Sequence, residues 1–108
     1  QTYEKLGDYN YAASVYSNYL SNTPDAQIYN QLGLCDLKIG EYEAALNAFQ
    51  AGIAIEGNEL MQVLKFNEIV AYEYLGDFKQ ATVLMQKYIS TYPDDAKAQR
   101  EYEFLQTR

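Results

Sequence analysis

Apolar residues recur along this chain at steps of three and four. One set runs Tyr9, Ala12, Tyr16, Tyr19, Leu20; a second Tyr42, Ala45, Leu46, Phe49, Ile53; a third Phe78, Ala81, Leu84, Met85, Tyr88, Ile89. Steps of that size place each set on one face of an α-helix. Two further stripes, Ile28, Leu32, Cys35, Ile39 and Leu60, Leu64, Ala71, Leu75, predict helices ahead of the second and third sets. A last segment carries Ala98, Tyr102 and Leu105 on one side and Lys97, Arg100 and Glu103 elsewhere, as a terminal cap does. The pattern predicts a short helix over 1–6, then helices over 9–21, 25–39, 42–55, 59–75, 78–91 and 95–107.

The punctuation between these stripes repeats. Leu6-Gly7-Asp8-Tyr9, Ile39-Gly40-Glu41-Tyr42 and Leu75-Gly76-Asp77-Phe78 are versions of one turn, with their glycines 33 and 36 residues apart. Pro24, Gly57 and Pro93 each follow a turn glycine by 17 residues and close the second helix of a unit. Asp8, Glu41 and Asp77 stand where a carboxylate meets the exposed N–H groups of a helix start. A period near 34 residues with helix-turn-helix character is that of a stacked helical repeat, whose units bury their apolar faces only against neighbours. Arrays of this kind bind other proteins more often than they perform chemistry.

Composition narrows the chemistry. Histidine is absent, which removes Cys–His pairs, Ser–His–acid triads and histidine metal sites. Cys35 is the single cysteine, so no intrachain disulfide forms, and its apolar neighbours read it as a small helix residue rather than a nucleophile. No catalytic residue, metal or cofactor is implied, and the chain reads as a non-enzyme. The net charge of −7 argues against nucleic acid and anionic membranes as partners, and no run is long enough to insert into a bilayer. The compartment stays open, the cytoplasm being slightly favoured for a soluble chain. Gln1 in place of Met makes trimming plausible.

Residue by residue, the repeat resembles the tetratricopeptide repeat, with helix A before the turn and helix B after it. The family favours a small residue five positions after the turn glycine, here Ala12, Ala45 and Ala81. It favours an aromatic two positions after, here Tyr9, Tyr42 and Phe78, and a large residue nine after, here Tyr16, Phe49 and Met85. Tyr29, Leu32 and Gly33 match its helix A pattern. The resemblance implies an all-α helix-turn-helix solenoid of antiparallel helix pairs in a right-handed superhelix with a C-terminal capping helix. It divides a single domain, 1–108, into a truncated first repeat over 1–24, a second over 25–57, a third over 58–93 and the cap over 94–108.

Departures from the family carry expectations of their own. The first helix A is a stub, so a face with Tyr9, Tyr16 and Tyr19 is left uncovered and could support a homodimer. Glu68 and Ile69 replace the pair found as Leu32 and Gly33, and Asp36 stands where other units have Tyr3 and Tyr72. Acids at interior positions need partners, and tyrosine hydroxyls or lysines are the expected ones. Tyr11, Tyr88 and Tyr92 are expected in packing and inter-repeat hydrogen bonds, and Asp94-Asp95 at the N-terminal cap of the last helix.

In the family, helices A line a concave groove that receives a peptide or a partner helix. The face away from the core on the second helix A presents Gln27, Asn30, Leu34, Leu37 and Lys38; the third presents Val63, Phe66, Asn67, Val70, Glu73 and Tyr74. From these, Gln27, Asn30, Leu34, Leu37, Lys38, Phe66, Asn67, Val70 and Tyr74 form the candidate partner-binding set. Val63, Phe66 and Val70 make that helix apolar nearly all round, which fits either an apolar peptide site or burial beneath the cap. The clamp by which some members hold chaperone C-termini is not expected, since its places hold mostly Gln1, Gln31, Val63 and Asn67. The chain thus reads as a protein- or peptide-binding module; the alternative is a structural or self-association segment of a longer array, without a ligand of its own.

Overall fold

The computed structural model describes residues 3–55 and 60–107, with side chains from Gly7 onward. Gln1, Gly57 and the side chains of Tyr3 and Leu6 lie outside the described residues. The described chain is all helical: α1 (Tyr3–Leu20), α2 (Ala26–Lys38), α3 (Tyr42–Ile53), α4 (Met61–Tyr74), α5 (Phe78–Thr91) and α6 (Ala96–Gln106). Each helix packs on the next in chain order, the arrangement of a helical solenoid.

The turns at Gly40 and Gly76 are built alike. Both glycines have left-handed backbone, φ 84° and 81°. In each, the N–H three residues past the helix returns to an orphan carbonyl, Glu41 to Asp36 at 2.8 Å and Asp77 to Tyr72 at 3.0 Å. Gly7 departs from that expectation. Instead of a stub, a turn and a helix, α1 runs unbroken through Gly7 and Asp8. A continuous helix keeps the backbone hydrogen bonds running through this position, and a glycine is tolerated there at a modest cost. Asp8 is therefore no helix start. Asp25, Asp77 and Asp95 do cap α2, α5 and α6, whereas Glu41 precedes α3 without a side-chain cap bond.

The core has two centres. One gathers Ala45, Phe49, Leu64 and Ala71 between α3 and α4; the other gathers Ile69, Ala81, Met85, Tyr88, Ala98 and Leu105 among α4, α5 and α6. The small residues Ala45 and Ala81 and the large residues Phe49 and Met85 are fully buried, while Ala12 and Tyr16 of the first unit are only partly so. Gly33 explains how α2 reaches α3: a Cβ there would lie 2.6 Å from Cζ of Phe49. The helix approach needs the missing side chain.

Several stripes are rotated from their expected facing. On α2 the deepest positions are Asn30, Gly33 and Asp36, and Ile28, Leu32, Cys35 and Ile39 are half-buried. Tyr19 and Leu75 are exposed. Tyr11, expected in packing, is among the most exposed apolar side chains. For α1 the physical reason is that its main packing is on α2, which leaves the flank with Tyr11 and Tyr19 open.

Candidate functional site

The α4 residues expected to face a partner lie along the seam between α4 and α6. Lys97 Nζ stands 5.3 Å from the centre of the Phe66 ring, a cation–π distance. Farther along, Phe104 of α6 shares a concavity with Val70, Glu73 and Tyr74. These two meetings show that α6 runs beside α4 in the same direction, so the last helix extends the surface rather than simply closing it.

Two adjoining concavities mark the seam. The first, about 230 Å³, is walled by Gln62, Val63, Phe66, Asn67 and Lys97, with Tyr88 and Asp95 at its base. The second, about 300 Å³, is walled by Val70, Glu73, Tyr74, Phe78 and Phe104. Phe66 is half-buried, its ring edge-on to Tyr88 with centroids 5.7 Å apart. Neither expectation for this helix holds alone: Phe66 and Val70 pack partly against the interior and partly line open space. Tyr74 is exposed and stacks on Tyr42 with centroids 5.0 Å apart.

A hydrogen-bond network fixes the floor of the first concavity. Gln62 Nε2 donates to the Tyr88 hydroxyl at 3.1 Å, and that hydroxyl donates to Asp95 at 2.7 Å. Burial, then the bond to Asp95, pushes the Tyr88 phenol up to about 12. The Tyr88 bond, then the Ala98 N–H, holds the Asp95 carboxyl below its usual range, so the site carries one fixed anion beside Lys97.

The α2 residues divide. Gln27, Leu34 and Lys38 are exposed, but Asn30 is buried and accepts from Asn67 Nδ2 at 2.7 Å. It therefore ties α2 to α4 instead of standing free in the groove. Leu37 is half-buried against the Ala45–Phe49 centre, which removes it from the exposed set. Both placements follow from the rotation of α2 toward α3. Of the positions a chaperone-type clamp would use, Gln31 and Val63 are exposed, Asn67 bonds to Asn30, and Gln1 is outside the described residues.

Sequence reasoning missed Gln62, Lys97 and Phe104. Lys97 and Phe104 are seven residues apart, a helical spacing offset by one position from the buried Ala98 and Leu105, and that offset was the available signal. Glu68 is satisfied by Gln50 Nε2 at 3.1 Å rather than by tyrosine or lysine, and the same amide reaches the Tyr72 hydroxyl at 3.3 Å. Asp36 is buried; desolvation, then the Glu41 charge, pushes its carboxyl up to about 6.

The arrangement offers apolar walls, side-chain amides and a few fixed charges, the inventory of a binding surface. The Cys35 thiol is pushed up by burial and then by Asp36, which disfavours the nucleophilic thiolate. Among the described residues no group of three or more Cys, Asp or Glu is placed to hold a metal, and no helix is long and apolar enough to cross a membrane.

Two sequence families, both described as tetratricopeptide repeat, match this chain, one over residues 26–59 and the other over residues 66–95. No curated protein matches it.

Proposed function

Since the chain belongs to the tetratricopeptide repeat family, whose repeats generally serve as protein–protein interaction modules, we propose that the α4–α6 seam receives an apolar segment of a partner protein. The observation that carries this reading is the pair of adjoining concavities with Phe66 in one and Val70, Tyr74 and Phe104 in the other. Successive apolar side chains of the ligand would enter the two, spaced as along a helix or a strand. Gln62 and Asn67 offer amides to the ligand backbone at the rim. Gln27, Leu34 and Lys38 would extend the contact onto α2, with repeats at 25–57 and 58–93, the cap at 94–108 and an incomplete first unit over 1–24.

Selection of a random peptide library on the protein, beside a Val70→Asp/Tyr74→Asp variant, tests the proposal. Peptides rich in apolar residues retained by the wild type and lost by a folded variant support it. Equal retention by both would sink it. Phe66→Ala should weaken binding more than folding, because Phe66 keeps one side in the concavity.

A second reading is favoured by a different observation. Tyr11, Val15 and Tyr19 leave α1 with an exposed apolar flank, which suits self-association of the chain.

A further inference from the structure

The face of α4 turned away from the seam borders a cavity of its own. Ile53 of α3, Lys65, Glu68 and Ile69 of α4, and Leu84 and Lys87 of α5 line a pit of about 120 Å³. Each of these three helices packs on the helix before it and the helix after it, so the walls are held from both sides. Ile69 is buried and Ile53 and Leu84 are half-buried, which makes the pit apolar within. Lys87 is exposed and Lys65 half-buried. Such side chains lay their stems along apolar surface and keep the charge at its edge.

The repeat explains why the space is there. At the 36-residue interval between Gly40 and Gly76, Lys65 answers to Tyr29 and Glu68 to Leu32. An aromatic and a branched apolar side chain are thus replaced by two unbranched ones with charged ends, which do not stay in an apolar interior. Glu68 turns toward α3, where its carboxylate accepts from Gln50 Nε2 at 3.1 Å. What is left is an apolar hollow flanked by two cations, and the acid in its wall is already engaged by an amide.

Size and charge name the occupant. An apolar cavity of about 150 Å³ takes benzene, so this slightly smaller one takes a single branched alkyl group. Lys65 and Lys87, on two different helices, are two of the eight cations in a chain of net charge −7, and together they favour an anion at the mouth. We propose that the pit binds a small free organic acid. Its branched alkyl group sits among Ile53, Ile69 and Leu84, and its carboxylate lies between Lys65 and Lys87. The site is separate from the seam, with Tyr88 forming part of the wall of both the pit and the first concavity.

Titration of the protein with isovalerate, followed through the methyl signals of Ile53, Ile69 and Leu84 in NMR spectra, tests the proposal. Saturable shifts in the millimolar range are expected, as suits a ligand of so few atoms. The neutral isovaleramide should bind about fivefold more weakly, and Lys87→Glu, a change at an exposed side chain, should weaken isovalerate by at least as much. Lys65→Tyr/Glu68→Leu installs the residues of the second unit, and the filled pit should show no shifts with the fold retained. Absence of saturable shifts in the wild type overturns the proposal, as does equal binding of acid and amide, an unchanged affinity in Lys87→Glu, or binding that survives in the folded Lys65→Tyr/Glu68→Leu variant. A peptide ending in leucine with a free carboxylate is the competing occupant; tighter binding of that peptide than of isovalerate overturns the assignment to a small molecule.

Discussion

The Tyr88 hydroxyl donates to one oxygen of Asp95 across 2.7 Å, while the other oxygen accepts the Ala98 N–H at 3.1 Å. One carboxylate therefore caps α6 and binds it to the interior of α5. Tyr88 is buried to do this, and its ring also meets Phe66 and Tyr92. The position of α6, and hence of the seam wall, is set by that bond together with the burial of Ala98 and Leu105.

Tyr88→Phe should cost about 2 kcal/mol in denaturant unfolding, the worth of a hydrogen bond to a charged acceptor. The pH signature is specific. The Tyr88 phenol is raised to about 12, so its contribution is full below pH 10 and lost as pH climbs from 10 toward 12. Asp95 is lowered, so its contribution holds above the ordinary carboxylate range and fades as pH falls through its depressed value. Wild type should lose stability at both ends, and the phenylalanine variant should lose less at the alkaline one.

Asp36 runs the other way. Its carboxyl is raised from 3.8 to about 6, so the fold is favoured while Asp36 is protonated and loses that advantage as pH rises from about 4 to 6. Asp36→Asn should stabilise the protein at pH 7 by about 1–3 kcal/mol and change little at pH 3.5. Chemical melts at the two pH values make the comparison; an asparagine variant less stable at pH 7 would contradict the burial argument.

The glycines separate turn from helix. Gly76→Ala should destabilise by about 1 kcal/mol, because its φ of 81° disfavours any Cβ. At Gly7 a Cβ would touch nothing, and the residue lies inside α1, so Gly7→Ala should gain up to about 1 kcal/mol. Circular dichroism and thermal melts of both variants decide the matter. A loss at Gly7 equal to that at Gly76 would restore the turn there.

Gly33→Ala places a methyl against the Phe49 ring, which is fully buried and has nowhere to go. A cost of about 1–3 kcal/mol is expected. Pairing it with Phe49→Leu should recover part of that loss, which a double-mutant cycle by denaturant melts would show as coupling.

Helix existence was legible because the signals agreed: the spacing after Gly40 and Gly76, the carboxylates at Asp77 and Asp95, and the prolines at 24 and 93 all place the same ends. Gly7 misled because a glycine followed by an aspartate is also tolerated inside a helix, and here α1 runs through it. Helix facing was harder. Asn30 and Asp36 are polar, and periodicity assigns such residues outward, yet they take the deepest face of α2 because Gly33 between them draws α3 close. The α6 wall was hidden for a related reason. Lys97 reads as a solvated charge until Phe66 is placed beneath it.

The Asn67–Asn30 bond has a mechanical consequence. On one side α3 is driven between α2 and α4, with Phe49 against Gly33 and Gly52 against Leu64. On the other side α2 and α4 are drawn together by one short amide link of 2.7 Å. A wedge on one edge and a tie on the other make an arch. The spacing of the two A-type helices is thus set from both edges at once, by packing on one and by a single amide pair on the other.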